Sequence, residues 1–170
     1  MYWYAKSNKD LDVNYNECKK SYVQKIVSSI LKEIWSRFDL EKIKDEIKDK
    51  TSSEKDKISK HQVGEVEGVK IFLVNGNEVK IKFFMDFVEG GNDMVYGKKH
   101  EGGVPSYIPS EEIWIDADLD ISSFPYVLLH ECVERHMMKN ERMDYEHAHE
   151  RANGIEKHLR KQNFFESRRG

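Results

Sequence analysis

The chain has 170 residues, of which 38% are hydrophobic and 35% charged, enough for one domain, or a domain with an appendage, around a compact core. Its formal net charge of −3 gives no global basic field of the kind that points to nucleic acid. Two cysteines, Cys18 and Cys132, form no CxxC pair, which excludes a cysteine zinc cluster and points to a reducing compartment. The opening "MYWYAKSNKD" has no leader-type apolar stretch, and no run nears the length of a membrane span, so the expectation is a soluble cytoplasmic protein with no membrane partner.

In chain order, residues 16–38 place Val23, Ile26, Val27, Ile30, Leu31, Ile34, Trp35 and Phe38 at helical spacing, which predicts an amphipathic packing helix. Ile43 and Ile47 extend helical character by a turn or two. Beyond Lys48 the composition is that of a solvated, mobile linker. The pattern changes at Glu65. Two β-rich runs flank Asn75-Gly76, a dipeptide suited to the positive φ angles of a type I′ turn, and a hairpin is expected there, with Val79, Ile81 and Phe83 on its second strand. Residues 89–110 read as a Gly-rich loop region with strand character at 94–96. "EEIWIDADL" (111–119) reads as a strand, with Ile113 and Ile115 on one face and Trp114 on the other. Serines 122 and 123 and Pro125 then start a helix expected over 125–139. A turn near 140–143 follows, and Asp144 caps a second helix over 145–161. The tail 162–170 is expected to fray. This gives an α+β fold with an N-terminal amphipathic helix, a small antiparallel sheet with an Asn-Gly hairpin, and a C-terminal helical hairpin. Its segments are an N-terminal helical segment (1–47), a charged linker (48–62), an α+β metal-site domain (63–161) and the tail.

Chemistry concentrates in residues 128–156, which hold four of the seven histidines. His130 and Glu134 are four apart and project from one helix face. Glu131, rotated about 100° from His130, stands beside that pair. This HExxE spacing is that of the HExxH zincin helix with Glu in the second ligand position: two ligands at i and i+4, and a Glu between them as general base. A catalytic zinc site wants a third protein ligand and an open position. A short turn makes the two helices antiparallel neighbours and brings His130 opposite roughly residues 149–153, so His149 is the expected third ligand. Glu156 is either a substitute ligand or the outer partner that orients an imidazole. Arg135 is expected to hold Glu131 or Glu156. Tyr145 polarises a substrate carbonyl, hydrogen-bonds a ligand, or packs between helices with its hydroxyl at the rim. Cys132, Met137 and Met138 read as core residues, and His136 as solvent-exposed.

The stretches "EGGN" (89–92), "IPSEEIWID" (108–116), "LLHECVERHMM" (128–138) and "DYEHAHERANGIE" (144–156) together resemble a family of small, largely uncharacterised phage and prokaryotic proteins. The resemblance covers the last half of the chain. It implies that His130, Glu131, Glu134, Arg135, Tyr145, His149 and Glu156 belong to a shared set, and it implies no particular activity.

The function expected from these residues is that of a zincin-like, metal-dependent hydrolase, most plausibly a peptidase, using Zn2+ or another divalent metal. Glu131 and Tyr145 are its catalytic residues, and a peptide or protein is its substrate, received at a strand edge near Trp114. The alternative is a non-catalytic accessory or binding module with a structural or vestigial metal site. Nucleic-acid binding through "KHLRKQ" and "SRRG" ranks last.

Overall fold

The computed structural model describes residues 22–36, 39–55, 57–83, 89–91 and 108–168. The expected strand character at 94–96, the first residues of the N-terminal helix and Phe38 lie outside this set.

The apolar spacing of the N-terminal stretch produces helix α1 (Gln24–Ile30), continued by a π-helical stretch, Leu31–Trp35. Ile26, Val27, Ile30, Ile34 and Trp35 all face inward. Ile43 and Ile47 belong to a separate helix, α2 (Leu40–Ile47), because Asp39 accepts the Lys42 N–H at 3.2 Å and so starts a new helix.

The charged stretch after Lys48 is not a free linker. The Lys82 ammonium donates to the carbonyls of Ser52, Glu54 and Lys57 at 2.9, 2.9 and 2.8 Å. The buried Glu78 carboxylate accepts from the N–H groups of Ser52 and Ser59. The Asn75 amide donates to the Lys50 carbonyl at 2.6 Å. The segment's apolar composition says little of this order, because polar contacts from a distant helix hold most of it, and Ile58 adds an apolar contact against the cluster of Phe72, Val74 and Trp114.

Strands β1 (Lys60–Val66) and β2 (Val69–Val74) form an antiparallel hairpin. Its turn is Glu67-Gly68, with φ of 51° and 79°, the positive pair a type I′ turn needs. The hairpin expected at Asn75-Gly76 does not form. Asn75 instead caps helix α3 (Gly76–Phe83), its side-chain oxygen accepting the Glu78 N–H at 3.2 Å. The spacing Asn75…Glu78 resembles a capping box, and that signal prevails over the turn propensity of Asn-Gly. Val79, Ile81 and Phe83 are therefore helical.

Strand β3 (Glu89–Gly91) pairs antiparallel with β4 (Glu112–Asp116), and β4 pairs parallel with β2. The sheet is mixed, in the order β1-β2-β4-β3, not wholly antiparallel. Trp114 accordingly lies on an interior strand, and β4 offers no edge to a peptide. The fold is mixed α+β.

Alternation along β2 and β4 divides the core. Ile71, Leu73, Ile113 and Ile115 face the main core with α1, α2 and two C-terminal helices, α4 (Phe124–Asn140) and α5 (Tyr145–Lys161). Phe72, Val74 and Trp114 face a smaller cluster with Val79 and Ile108. Segment 1–47, where described, and the 63–161 region thus share one core. The tail joins it as well. Phe165 is fully buried, its carbonyl accepts the Trp35 indole N–H at 2.9 Å, and its ring meets Tyr126 edge-on. The expected fraying is overturned by this apolar anchor, worth roughly 1.5–3 kcal/mol of burial. Among the described residues no helix is long and apolar enough to cross a membrane.

Candidate metal centre

Helix α4 begins with Pro125 in its first turn. The cap comes from Asp120, not from the serines. Its carboxylate accepts the Ser122 N–H at 2.9 Å and starts a short 3-10 turn (Ile121–Ser123) that runs into α4. Asp144 caps α5 through the His147 N–H at 3.0 Å. The two helices pack closely, and the small residues Ala148, Ala152 and Gly154 of α5 are buried.

This hairpin brings together three atoms of metal-ligating type. His130 Nε2 lies 3.0 Å from Glu134 Oε2 and 3.2 Å from His149 Nδ1, and His149 Nδ1 lies 2.9 Å from Glu134 Oε2. A tetrahedral zinc with bonds of about 2.0–2.2 Å spaces its donors about 3.3–3.5 Å apart, so the triangle would need to open by only a few tenths of an ångström. Two imidazole nitrogens and a carboxylate oxygen are a donor set suited to a divalent metal. The group His130, Glu134 and His149 could hold one. His130 and Glu134 are buried, whereas the His149 side chain is 40% exposed, so the site opens on the His149 side.

The outer contacts orient this set. Glu156 Oε1 lies 3.1 Å from His130 Nδ1. A carboxylate at Nδ1 keeps the proton there and turns the Nε2 lone pair toward the other donors. Glu156 thus stands at the far nitrogen of His130, outside the group of three close atoms, where an orienting partner would stand. Its other oxygen accepts from Arg160 Nε at 2.7 Å. The Tyr145 ring stacks on His149 at 5.3 Å with planes 23° apart, and its hydroxyl is 3.4 Å from His149 Nδ1. That places the phenol at the open side of the site. Glu131, half-buried, follows His130 on the helix, and its charge acts on the His130 ring.

The electrostatics show how tightly these groups are matched. Burial alone would discharge His130, but the hydrogen bond to Glu134 and the Glu156 carboxylate 3.1 Å from Nδ1, close as an ion pair though off hydrogen-bond alignment, outweigh it and raise its pKa to about 10. Burial pushes the Glu134 and Glu156 carboxyls up. The contacts with His130 and His149 for Glu134, and the neighbouring His130 ring with the Arg160 hydrogen bond for Glu156, bring both below the ordinary carboxylate value. The ring lies between two carboxylates, at 3.0 Å from Nε2 and 3.1 Å from Nδ1, which favour its protonated form, and a metal would take the place of the Nε2 proton.

Other expected residues fall elsewhere. Arg135 donates to the Ser110 carbonyl at 2.8 Å and lies 3.8 Å from Glu111, so it ties α4 to the segment entering β4. Glu156, one of its expected partners, is engaged by His130 and Arg160. Cys132, Met137 and Met138 are buried, and burial raises the Cys132 pKa above the ordinary thiol range. His136 is not solvent-exposed but half-buried, stacked on Tyr22 with ring centroids 3.7 Å apart. Arg160 is absent from the residues that the sequence motif singles out, although its i,i+4 spacing from Glu156 is a usable signal.

Compared with family models, curated proteins and solved structures, the chain matches none.

Proposed function

We propose that this chain is a metal-dependent hydrolase of zincin-like type, acting on a peptide or protein. The observation that carries the reading is the convergence of His130 Nε2, Glu134 Oε2 and His149 Nδ1, with Glu156 already at the far nitrogen of His130. A bound zinc, or another divalent ion, would supply a Lewis acid that makes water acidic near neutral pH. Glu131 takes the proton of the attacking water and returns it to the leaving group. The Tyr145 hydroxyl donates to the carbonyl oxygen as charge builds on it. Strand β3, the outermost strand of the sheet among the described residues, beside β4 and packed near α4, is the place for an extended peptide. The residues of the site are those on which the resemblance to small phage and prokaryotic proteins rests.

A second reading is a binding module with a structural metal. It is favoured by a cavity of about 270 Å³ that is lined by Ile26, Val66, Val69, Cys132 and His136 among others and includes no member of the metal cluster. Metal analysis of tag-free protein purified without chelator, followed by a protease-substrate screen, separates the two. About one equivalent of metal with cleavage that stops on Glu131→Gln supports the hydrolase. Metal without cleavage supports the module.

A further inference from the structure

Glu156 cannot orient His130 unless it is itself held, and the structure shows what holds it. The Arg160 Nε donates to Glu156 Oε2 at 2.7 Å, while Oε1 faces His130 Nδ1 at 3.1 Å. The guanidinium is fixed from two further sides. Its Nη1 reaches Ser123 Oγ at 3.3 Å, and its carbon lies 4.7 Å over the centre of the Tyr126 ring. Tyr126 is locked in turn: its hydroxyl donates to Glu166 at 2.8 Å and accepts the Phe165 N–H at 3.2 Å. A planar fork stacked on an aromatic face has few orientations open to it, so the carboxylate that it grips is held in place as well.

We propose that Arg160 is a positioning residue of the metal centre, acting through Glu156 to fix the His130 imidazole for ligation, with the C-terminal segment as its support. The proposal rests on the metal reading above and adds to it a part of the chain that makes no contact with the ligating atoms. It accounts for the packing of the tail. The turn at Glu166–Arg168 closes on Tyr126, and Tyr126 carries the guanidinium that holds Glu156.

The test is a double-mutant cycle on the full chain, read by zinc competition against a chromogenic chelator. Wild-type protein is measured first, and failure to bind zinc there overturns the metal reading together with this inference. If the wild type binds zinc, Arg160→Ala should weaken binding by roughly 10–100-fold, the usual scale for losing a partner behind a ligating histidine. Glu156→Gln should weaken it similarly. The double variant should bind no more weakly than Glu156→Gln alone, because Arg160 acts only through that carboxylate. Arg160→Lys, which keeps a cation beside Glu156, should lie closer to wild type than Arg160→Ala does. Unchanged affinity in Arg160→Ala, or effects that add across the cycle, would leave the metal reading standing and overturn the role of Arg160. Should Arg160→Ala fail to fold, Arg160→Gln takes its place in the cycle, and the same two outcomes decide.

Discussion

His130 Nε2 and His149 Nδ1 lie 3.2 Å apart, one on each helix of the C-terminal hairpin, with Glu134 Oε2 within 3.0 Å of both. Two ring nitrogens this close are stable only with a proton or a metal between them and the carboxylate. The short turn between the helices, closed by the Asp144 cap on α5, brings these positions opposite each other.

The first prediction follows from this triangle. His130→Ala and His149→Ala should each lower zinc affinity by more than about 100-fold, beyond the range for outer contacts. Zinc should raise the thermal midpoint of wild type, and a chelator should reverse the rise. A His149→Ala protein that binds zinc as tightly as wild type would remove His149 from the set.

Glu131 and Glu134 should separate by phenotype. Glu131→Gln should retain zinc and lower turnover by roughly 10²–10⁴-fold, the scale of general-base loss. Glu134→Gln should lose zinc first and activity as a consequence. Zinc content and turnover measured together on both variants check this, and the reverse pattern would exchange the two roles.

The pH dependence of the metal-free protein has a defined sign. His130 has its folded pKa raised from 6.5 to about 10, so its stabilising contribution is complete below 6.5 and is lost as pH rises through about 10. Glu134 and Glu156 have folded pKa values below 4.5, so their contributions are present above 4.5 and are lost as pH falls through those lowered values. The thermal midpoint should therefore be highest between about pH 4.5 and 6.5 and decline toward pH 10. Zinc affinity should rise over the same interval, because the Nε2 proton must leave for the metal to bind. A midpoint that climbs steadily from pH 6.5 to 10 without metal would contradict the clamp on His130.

The polar staple on residues 48–59 should matter to stability. Lys82→Met removes three donated hydrogen bonds, and Glu78→Gln weakens a buried acceptor of two backbone N–H groups. Each should cost about 1–3 kcal/mol in denaturant unfolding. A loss within about 0.5 kcal/mol in both would return this stretch to the status of a surface loop.

Phe165→Ala should cost about 3–5 kcal/mol, the range for emptying a fully buried aromatic site. Phe164, only partly buried beside it, should tolerate the same change better. Equal, small effects at both positions would show that the tail does not pack.

Several features were legible in the sequence because they depend on neighbours a few residues away. The 3–4 spacing of α4 and α5, the Asp144 cap, the facing of Ile113 and Ile115 away from Trp114, and the i,i+4 pair of His130 and Glu134 follow from helix and strand periodicity. His149 was reachable too, since a short turn fixes which residues of two antiparallel helices meet. The remainder was decided by partners distant in the chain. Asn75-Gly76 satisfies both a turn and a helix cap locally; in the fold it is a cap, and the Gly76 N–H docks on Asp116, 40 residues on. The parallel pairing of β2 with β4 places Trp114 inside the sheet, which alternation along a single strand cannot reveal. The stretch after Lys48 reads as solvated because most of its order comes from hydrogen bonds to Glu78 and Lys82, with its Ile58 packing, partly buried, against the smaller cluster. Arg160 acquires its place only when Tyr126, Ser123 and Glu156 converge on it. Periodicity determines which face a residue occupies; only the packing of distant elements determines what that face meets.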